Sequence, residues 1–445
     1  MEDGCTTRIT YGSAWIRPTD HPDNTDRVGG AVSWDGSCQT DASGHSFAQL
    51  SNGWRPYFTG RNGCLIALDL EGSCAPAHGC STRVTYNPSW LHPDGHSEAF
   101  DDVDGVITTD GQCNADGESS YLQLSNGWRP HFMGQDSCSI SLRYSQCRGL
   151  FANPVIARDC PDPSVLRDGD QYVMACTSGN PAYPLHTSRD LVTWKLAGSI
   201  FSEASKPEWA ERDFWAPEIH RIGDKYVAYF SARHRDGDLA IGVATANAAL
   251  GPYEDSGEPL VRDPEGAIDA HHFEAPDGTH YLIWKLDGNA NGHPTPIVLQ
   301  PLVADGLALT GSPTTLLSNT EAWEANSIEG PWLIFESGYY YLFYSGNTYL
   351  SAGYALGVAR STSITGPFTK APEPLLVSSG LWAGPGHGAA VRGPAGDWVF
   401  VFHAWAAGRI GQSPPGRQVL LSRIRWVDGW PSMLGAPSSL SQPLP

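Results

Sequence analysis

Five ionisable residues recur along the second two-thirds of the chain, Asp162, Glu218, Asp269, Glu329 and His387, at intervals of 51–60 residues. Paired carboxylates flanking a bond are the machinery of glycoside hydrolysis, one protonated to release the leaving group, the other ionised to activate water. Asp162 stands between Pro161 and Pro163 at the start of an apolar run, a turn-like setting that suits an ionised base. Glu329 sits in Ile328-Glu329-Gly330-Pro331-Trp332, among apolar neighbours whose desolvation would raise its pKa and make it the acid. Asp269, in Ala267-Ile268-Asp269, would tune that acid by charge proximity. Taken singly, an aspartate before proline is an ordinary turn residue, and a histidine among glycines an ordinary core one. Their coincidence carries the argument, because ionisable groups are costly to bury without a purpose.

For these residues to meet, the elements around them must repeat. From about residue 150 the chain reads as short strands after turns: Lys225 to Ser231, His280 to Lys285, Gly338 to Ser345 and Asp397 to His403. A repeat of roughly 50 residues with several strands per unit is the signature of propeller blades. Five units fit, and residues that open the innermost strands would converge on one funnel. The expected fold is all-β, with a five-bladed β-propeller over residues 149–445. Cys160 and Cys176 flank the turn at Asp168 symmetrically, so they should face each other across a hairpin as a disulfide bracing Asp162.

The first third is a duplication. Leu50 to Pro56 recurs unchanged as Leu124 to Pro130, and Thr7 to Tyr11 recurs as Thr82 to Tyr86 with one substitution. Residues 1–76 and 77–148 therefore read as two tandem small β modules, each with four cysteines: Cys5, Cys38, Cys64 and Cys74, then Cys80, Cys113, Cys138 and Cys147. None forms a CxxC pair, which argues for disulfides over zinc and for an oxidising, secreted or extracytoplasmic location. Three pairings per module are open, and we favour first to fourth with second to third. Trp15, Trp54, Trp90 and Trp128 are either sugar-stacking surfaces of a carbohydrate-binding module or core residues. A formal charge of −20 argues against nucleic acid, and no apolar run approaches the ~18 residues of a membrane span.

Residues from about 150 to 435 resemble glycoside hydrolase family 43. The motifs are Asp-Pro-Ser at Asp162, Phe-Trp-Ala-Pro-Glu-Ile from Phe214 to Ile219, Ala-Ile-Asp at Asp269 and Ile-Glu-Gly-Pro-Trp at Glu329. Gly-Pro-Gly-His-Gly at His387 and Pro-Gly-Arg-Gln at Arg417 complete the set. The resemblance implies secreted five-bladed propellers that cleave arabinosyl and xylosyl linkages with inversion. It implies Asp162 as general base, Asp269 as pKa modulator and Glu329 as general acid, with no cofactor required for chemistry. His387 is similar to the axial histidine that in many members touches a calcium ion or its water shell. Arg417 and Trp215 are similar to sugar-contacting residues, Glu218 stands where a second acid is often found, and His272 and Trp332 are further candidates for substrate contact. Ala389 replaces a common serine, which bears on the metal site, and Ala270 replaces a common proline.

The expected protein is thus a monomeric, secreted inverting hydrolase of α-L-arabinofuranosyl linkages in arabinan or arabinoxylan. β-Xylosides are the near alternative, galactan the third, and a non-catalytic sugar-binding propeller the rival of another class. Inversion implies an acid–base separation of about 6.5–9.5 Å.

Overall fold

The computed structural model describes residues 150–177, 183–379, 381–433 and 442–443. Within the first 149 it describes 6–11, 16, 18, 25–29, 39–40, 45–48, 50, 54–58, 66–71, 81–93, 98–104, 107, 114–122, 124, 128–134, 138 and 140–145. The chain forms two compact units, Met1–Arg158 with Ser379–Trp382 and Met433–Pro445, and Asp159–Ser378 with Ala383–Ser432.

In the first unit the duplication appears as repeated topology. Thr6–Tyr11 pairs antiparallel with Thr25–Gly29 and Ile66–Glu71. Ser81–Tyr86 pairs in the same way with Phe100–Asp104 and Ile140–Ser145. The two copies share a polar link: Tyr11 donates to Asp26 and Tyr86 to Asp101, each at 2.6 Å. The structure divides the tryptophans. Trp90 is core, 3% exposed and stacked on Tyr86 at 3.9 Å, whereas the equivalent pair Trp54 and Trp128 are each 38% exposed. Trp15 lies outside the described residues, as do Cys5, Cys38, Cys64, Cys74, Cys80, Cys113 and Cys147; Cys138 is disulfide-bonded.

The second unit is a ring of five antiparallel meanders, each of four strands in sequence order, the second with an additional short pairing by Val261–Arg262. Their innermost strands are Ser164–Asp168, Ala210–Ile222, Ala267–Glu274, Ile328–Glu336 and Trp382–Arg392. The strands are rich in β-branched and aromatic residues, which fit a pleated surface buried on both faces. Apolar clusters fill the spaces between blades; Val173, Tyr183 and Phe201 of the first meet Ile219 and Phe230 of the second. The ring closes without a shared blade. Tyr172 donates to the Arg392 carbonyl at 2.9 Å, and the Cys160 N–H to the Arg417 carbonyl at 2.9 Å, tying the first blade to the fifth.

Cys160 and Cys176 form a disulfide, by a route other than the expected one. The hairpin pairs Asp168 with Gln171 and Ser164 with Ala175, so its turn falls at Gly169-Asp170 and Cys160 lies beyond the ladder. The left-handed backbone at Asp162 (φ 53°) turns the chain back and delivers Cys160 to its partner. The bridge therefore clamps the bend that aims Asp162.

Candidate active site

Each blade carries a residue with left-handed backbone near the top of its inner strand: Asp162 (φ 53°), Ala216 (42°), Asp269 (59°), Gly330 (57°) and His387 (38°). In the second, third and fourth blades the pairing register shifts across this point. Such bulges re-aim side chains, and non-glycine residues held at positive φ cluster at functional sites. Two glycines permit the crowding. A Cβ on Gly330 would lie 2.7 Å from the His387 ring, and one on Gly388 2.0 Å from the Val401 carbonyl.

The bulges converge on a cavity of about 270 Å³ lined by Asp162, Asp269, Glu329, His387, Arg417 and Trp215, together with Lys285, Asp287, Asn347 and Tyr349. Asp162 is 7% exposed and fully engaged. Its Oδ1 accepts from Arg417 at 2.9 Å, with His387 and His403 Nδ1 each 3.3 Å away. Its Oδ2 accepts from the Thr177 hydroxyl at 2.6 Å, and that hydroxyl in turn accepts from the Ala216 N–H at 2.7 Å. Burial alone would raise its pKa; the charges of Arg417 and His387 and the contact with His403 outweigh burial and hold it well below the carboxylate range. His403, wholly buried, is pushed down to about 4 by burial and by the Arg417 charge.

The other two carboxylates divide contrary to the sequence expectation. Asp269 accepts from the Gly330 N–H at 3.0 Å, and burial, with the negative charge of Glu329, raises it to about 6 against the pull of His387. Glu329 moves the other way. Burial would raise it, but Lys285 donates to Oε2 at 3.1 Å and Tyr354 to Oε1 at 2.8 Å, and these with the His387 charge hold it below its usual range. Burial acts in the direction that the apolar neighbours suggest, but Lys285 and Tyr354, from 44 and 25 residues away, together with His387 outweigh it. Lys285 is 2% exposed, yet its paired carboxylates, Glu329 at 3.1 Å and Asp287 at 2.8 Å, keep it ionised. It sits across the ladder from Ile268, in an apolar run where the sequence marked only a strand.

Three expected substrate contacts are not part of this cavity. Glu218 lies two residues past the bulge at Ala216, so strand alternation carries it down the axis, where its Oε2 meets His220 at 2.8 Å and His271 at 2.9 Å. His272, three residues past Asp269, bonds His280 at 3.0 Å. Trp332 packs on His271 and donates to the Ala390 carbonyl at 3.1 Å. Trp215 and Arg417 do reach the cavity, Arg417 over the Tyr349 ring at 4.5 Å.

The model for glycosyl hydrolases family 43 matches residues 151–431. The chain belongs to glycosyl hydrolases family 43. It is 30% identical over 314 residues to a xylan 1,3-beta-xylosidase of a Vibrio species, covering 63% of this chain and 56% of that protein. It is 26% identical to an extracellular exo-alpha-(1->5)-L-arabinofuranosidase of Streptomyces avermitilis, covering 63% of each. A crystal structure of a thermostable family-43 glycoside hydrolase superposes with a TM-score of 0.61 at 32% identity, covering 66% of this chain and 99% of that one. The chain thus spans little more than half the length of the first curated relatives it matches.

Family resemblance carries an expectation of calcium at the axis, and the residues around His387 do not fit a calcium cage. Calcium takes six to eight oxygen ligands at about 2.3–2.6 Å. The void beneath His387 is about 10 Å³, room for roughly one water. The carboxylate oxygens facing the ring, Asp162 Oδ1 at 3.3 Å and Asp269 Oδ2 at 4.0 Å, already accept from Arg417 and from the Gly330 N–H.

Proposed function

We propose that this family 43 chain is a secreted, inverting α-L-arabinofuranosidase acting on arabinan or arabinoxylan as a monomer. The observation that carries the reading is the meeting of Asp162, Asp269 and Glu329 in one cavity with Arg417 and His387. Asp162, ionised at every working pH, takes the proton of a water as it attacks the anomeric carbon. Glu329, on the far side of the scissile bond, protonates the departing glycosidic oxygen. Water excluded by the bound sugar strengthens both interactions. In the empty site burial raises Asp269, while Lys285 lowers Glu329 against burial, so Asp269 takes a proton before Glu329 does, and we assign Asp269 the role of holding it within the pair. Arg417 and His387 fix the Asp162 carboxylate by charge, and Trp215 supplies an apolar wall.

The pair sets the pH dependence. One proton must reside on it, so kcat/KM should fall as pH rises past about 6, where Asp269 gives it up. Lys285→Met removes the cation that favours ionised Glu329. The protonated form is then favoured, so the basic limb should move upward by about one pH unit or more. A limb that stays in place or moves down would show that Lys285 does not govern the acid.

β-D-Xylosides are the second reading, supported by relatives named xylosidases at 28–30% identity against 26–27% for those named arabinofuranosidases. Initial rates on nitrophenyl α-L-arabinofuranoside and β-D-xyloside decide between them. The first reading expects at least about tenfold preference for the arabinoside; the reverse preference selects the second. Turnover of neither, nor of linear arabinan or arabinoxylan, would remove the glycosidase reading. For the duplicated unit we propose carbohydrate binding through Trp54 and Trp128, half-exposed rings at matching positions, Trp54 held by a 3.0 Å bond to the Tyr11 hydroxyl. The disulfides support export.

A further inference from the structure

Below the carboxylate cavity, three side chains that the hydrolytic reading does not use meet on the propeller axis. Glu218 and His220 come from the inner strand of the second blade and His271 from that of the third. Glu218 Oε2 is 2.8 Å from His220 Nε2 and 2.9 Å from His271 Nδ1, and the three atoms all lie within 4.8 Å of one another. Glu218 and His271 are buried and His220 is half-buried.

A carboxyl group and two imidazoles at these distances can close as hydrogen bonds or around a shared cation. The other nitrogen of His271, Nε2, faces the Leu333 carbonyl at 3.3 Å. A carbonyl only accepts, so the tautomer with the hydrogen on Nε2 satisfies this contact. That tautomer turns the Nδ1 lone pair toward Glu218, 2.9 Å away. A cation between them would be held by both groups. An imidazole that donates from one nitrogen to a backbone carbonyl and offers the other inward is the usual arrangement of a metal-bound histidine.

We propose that Glu218, His220 and His271 bind a divalent first-row transition cation, with zinc as the natural probe. Two imidazoles and one carboxylate suit zinc, which keeps a fourth position for water in such sets. Zinc bonds of about 2.0–2.1 Å need donors roughly 3.3 Å apart in a tetrahedron, so the carboxylate must swing by about half an ångström. Calcium, an oxygen-seeking ion, is disfavoured by the two nitrogens. An opening lined by His220, His271, His272 and Trp332, separate from the carboxylate cavity, gives an entry path. The ion would staple the second blade to the third, a role independent of the substrate.

The test uses untagged full-length protein, stripped with chelator, dialysed and titrated with zinc chloride by calorimetry, with calcium chloride as a parallel arm. One zinc equivalent that depends on these side chains, with a raised Tm and no competition from calcium, is expected. His220→Asn and His271→Gln should each weaken that equivalent by more than about 100-fold, since losing even an outer-shell partner costs 10–100-fold. X-ray absorption of the zinc-loaded wild type, which needs no variant to fold, should show two imidazoles with oxygen ligands. No zinc uptake, uptake unchanged in both variants, sulfur ligation, or calcium displacing zinc would each overturn the proposal.

Discussion

Glu329→Gln should reduce turnover of arabino-oligosaccharides by about 10³-fold while leaving their binding intact, because only the transferable proton is removed. Glutamine matches the shape of the acid and keeps an oxygen for the Tyr354 hydroxyl, which donates to Glu329 at 2.8 Å. Lys285 keeps Asp287 at 2.8 Å as its partner, so the buried cation is not stranded. The loss must depend on the leaving group. An alkoxide needs protonation to depart and feels the full loss; a dinitrophenolate departs unaided and should lose little. Steady-state rates on the two substrate types, with binding to the variant measured by calorimetry, check this. An equal loss on both would mean that Glu329 positions the sugar and donates no proton. A sugar-binding propeller without catalysis would have no turnover to lose.

Asp162→Ala should cost about 10²–10⁴-fold in kcat/KM, and equally for good and poor leaving groups, since the attack of water is impaired in both. Arg417 and His387 lie within 3.3 Å of its Oδ1, so the substitution leaves a cationic hollow where the base stood. Azide is an anion that needs no deprotonation and should enter that hollow. Added azide is expected to restore turnover in Asp162→Ala and to yield a glycosyl azide, with no such rescue of Glu329→Gln on poor leaving groups. A base role is excluded if Asp162→Ala retains wild-type rates, or if azide rescues both variants alike. The strong cationic grip on Asp162 also has a chemical consequence: it guarantees the ionised form while lowering basicity, so placement of the water matters more than proton affinity.

Much of this site is legible in the sequence because blade repetition puts chemistry at regular intervals. Asp162, Asp269, Glu329 and His387 were readable as one constellation, and they line one cavity. The phase of the repeat was not readable. In the second blade the left-handed position falls on Ala216, and Glu218 faces two imidazoles instead of the cavity. A backbone bulge leaves no mark on residue type, so the interval between motifs does not show that Glu218 stands two residues past the left-handed position. The sign of the Glu329 shift was hidden for a related reason: its apolar neighbours are local, while Lys285 and Tyr354 arrive through the fold. The Cys160–Cys176 bridge was anticipated, but from a hairpin symmetry that the ladder does not have.

The central claim is a single displacement between Asp162 and Glu329, and the configuration of the first product tests it most directly. Proton NMR of early hydrolysis of an α-L-arabinofuranoside should show the β-anomer of arabinose appearing first, with the α-anomer growing only as mutarotation proceeds. The α-anomer appearing first would mean retention, a covalent intermediate, and a different role for Asp162 from the one assigned here.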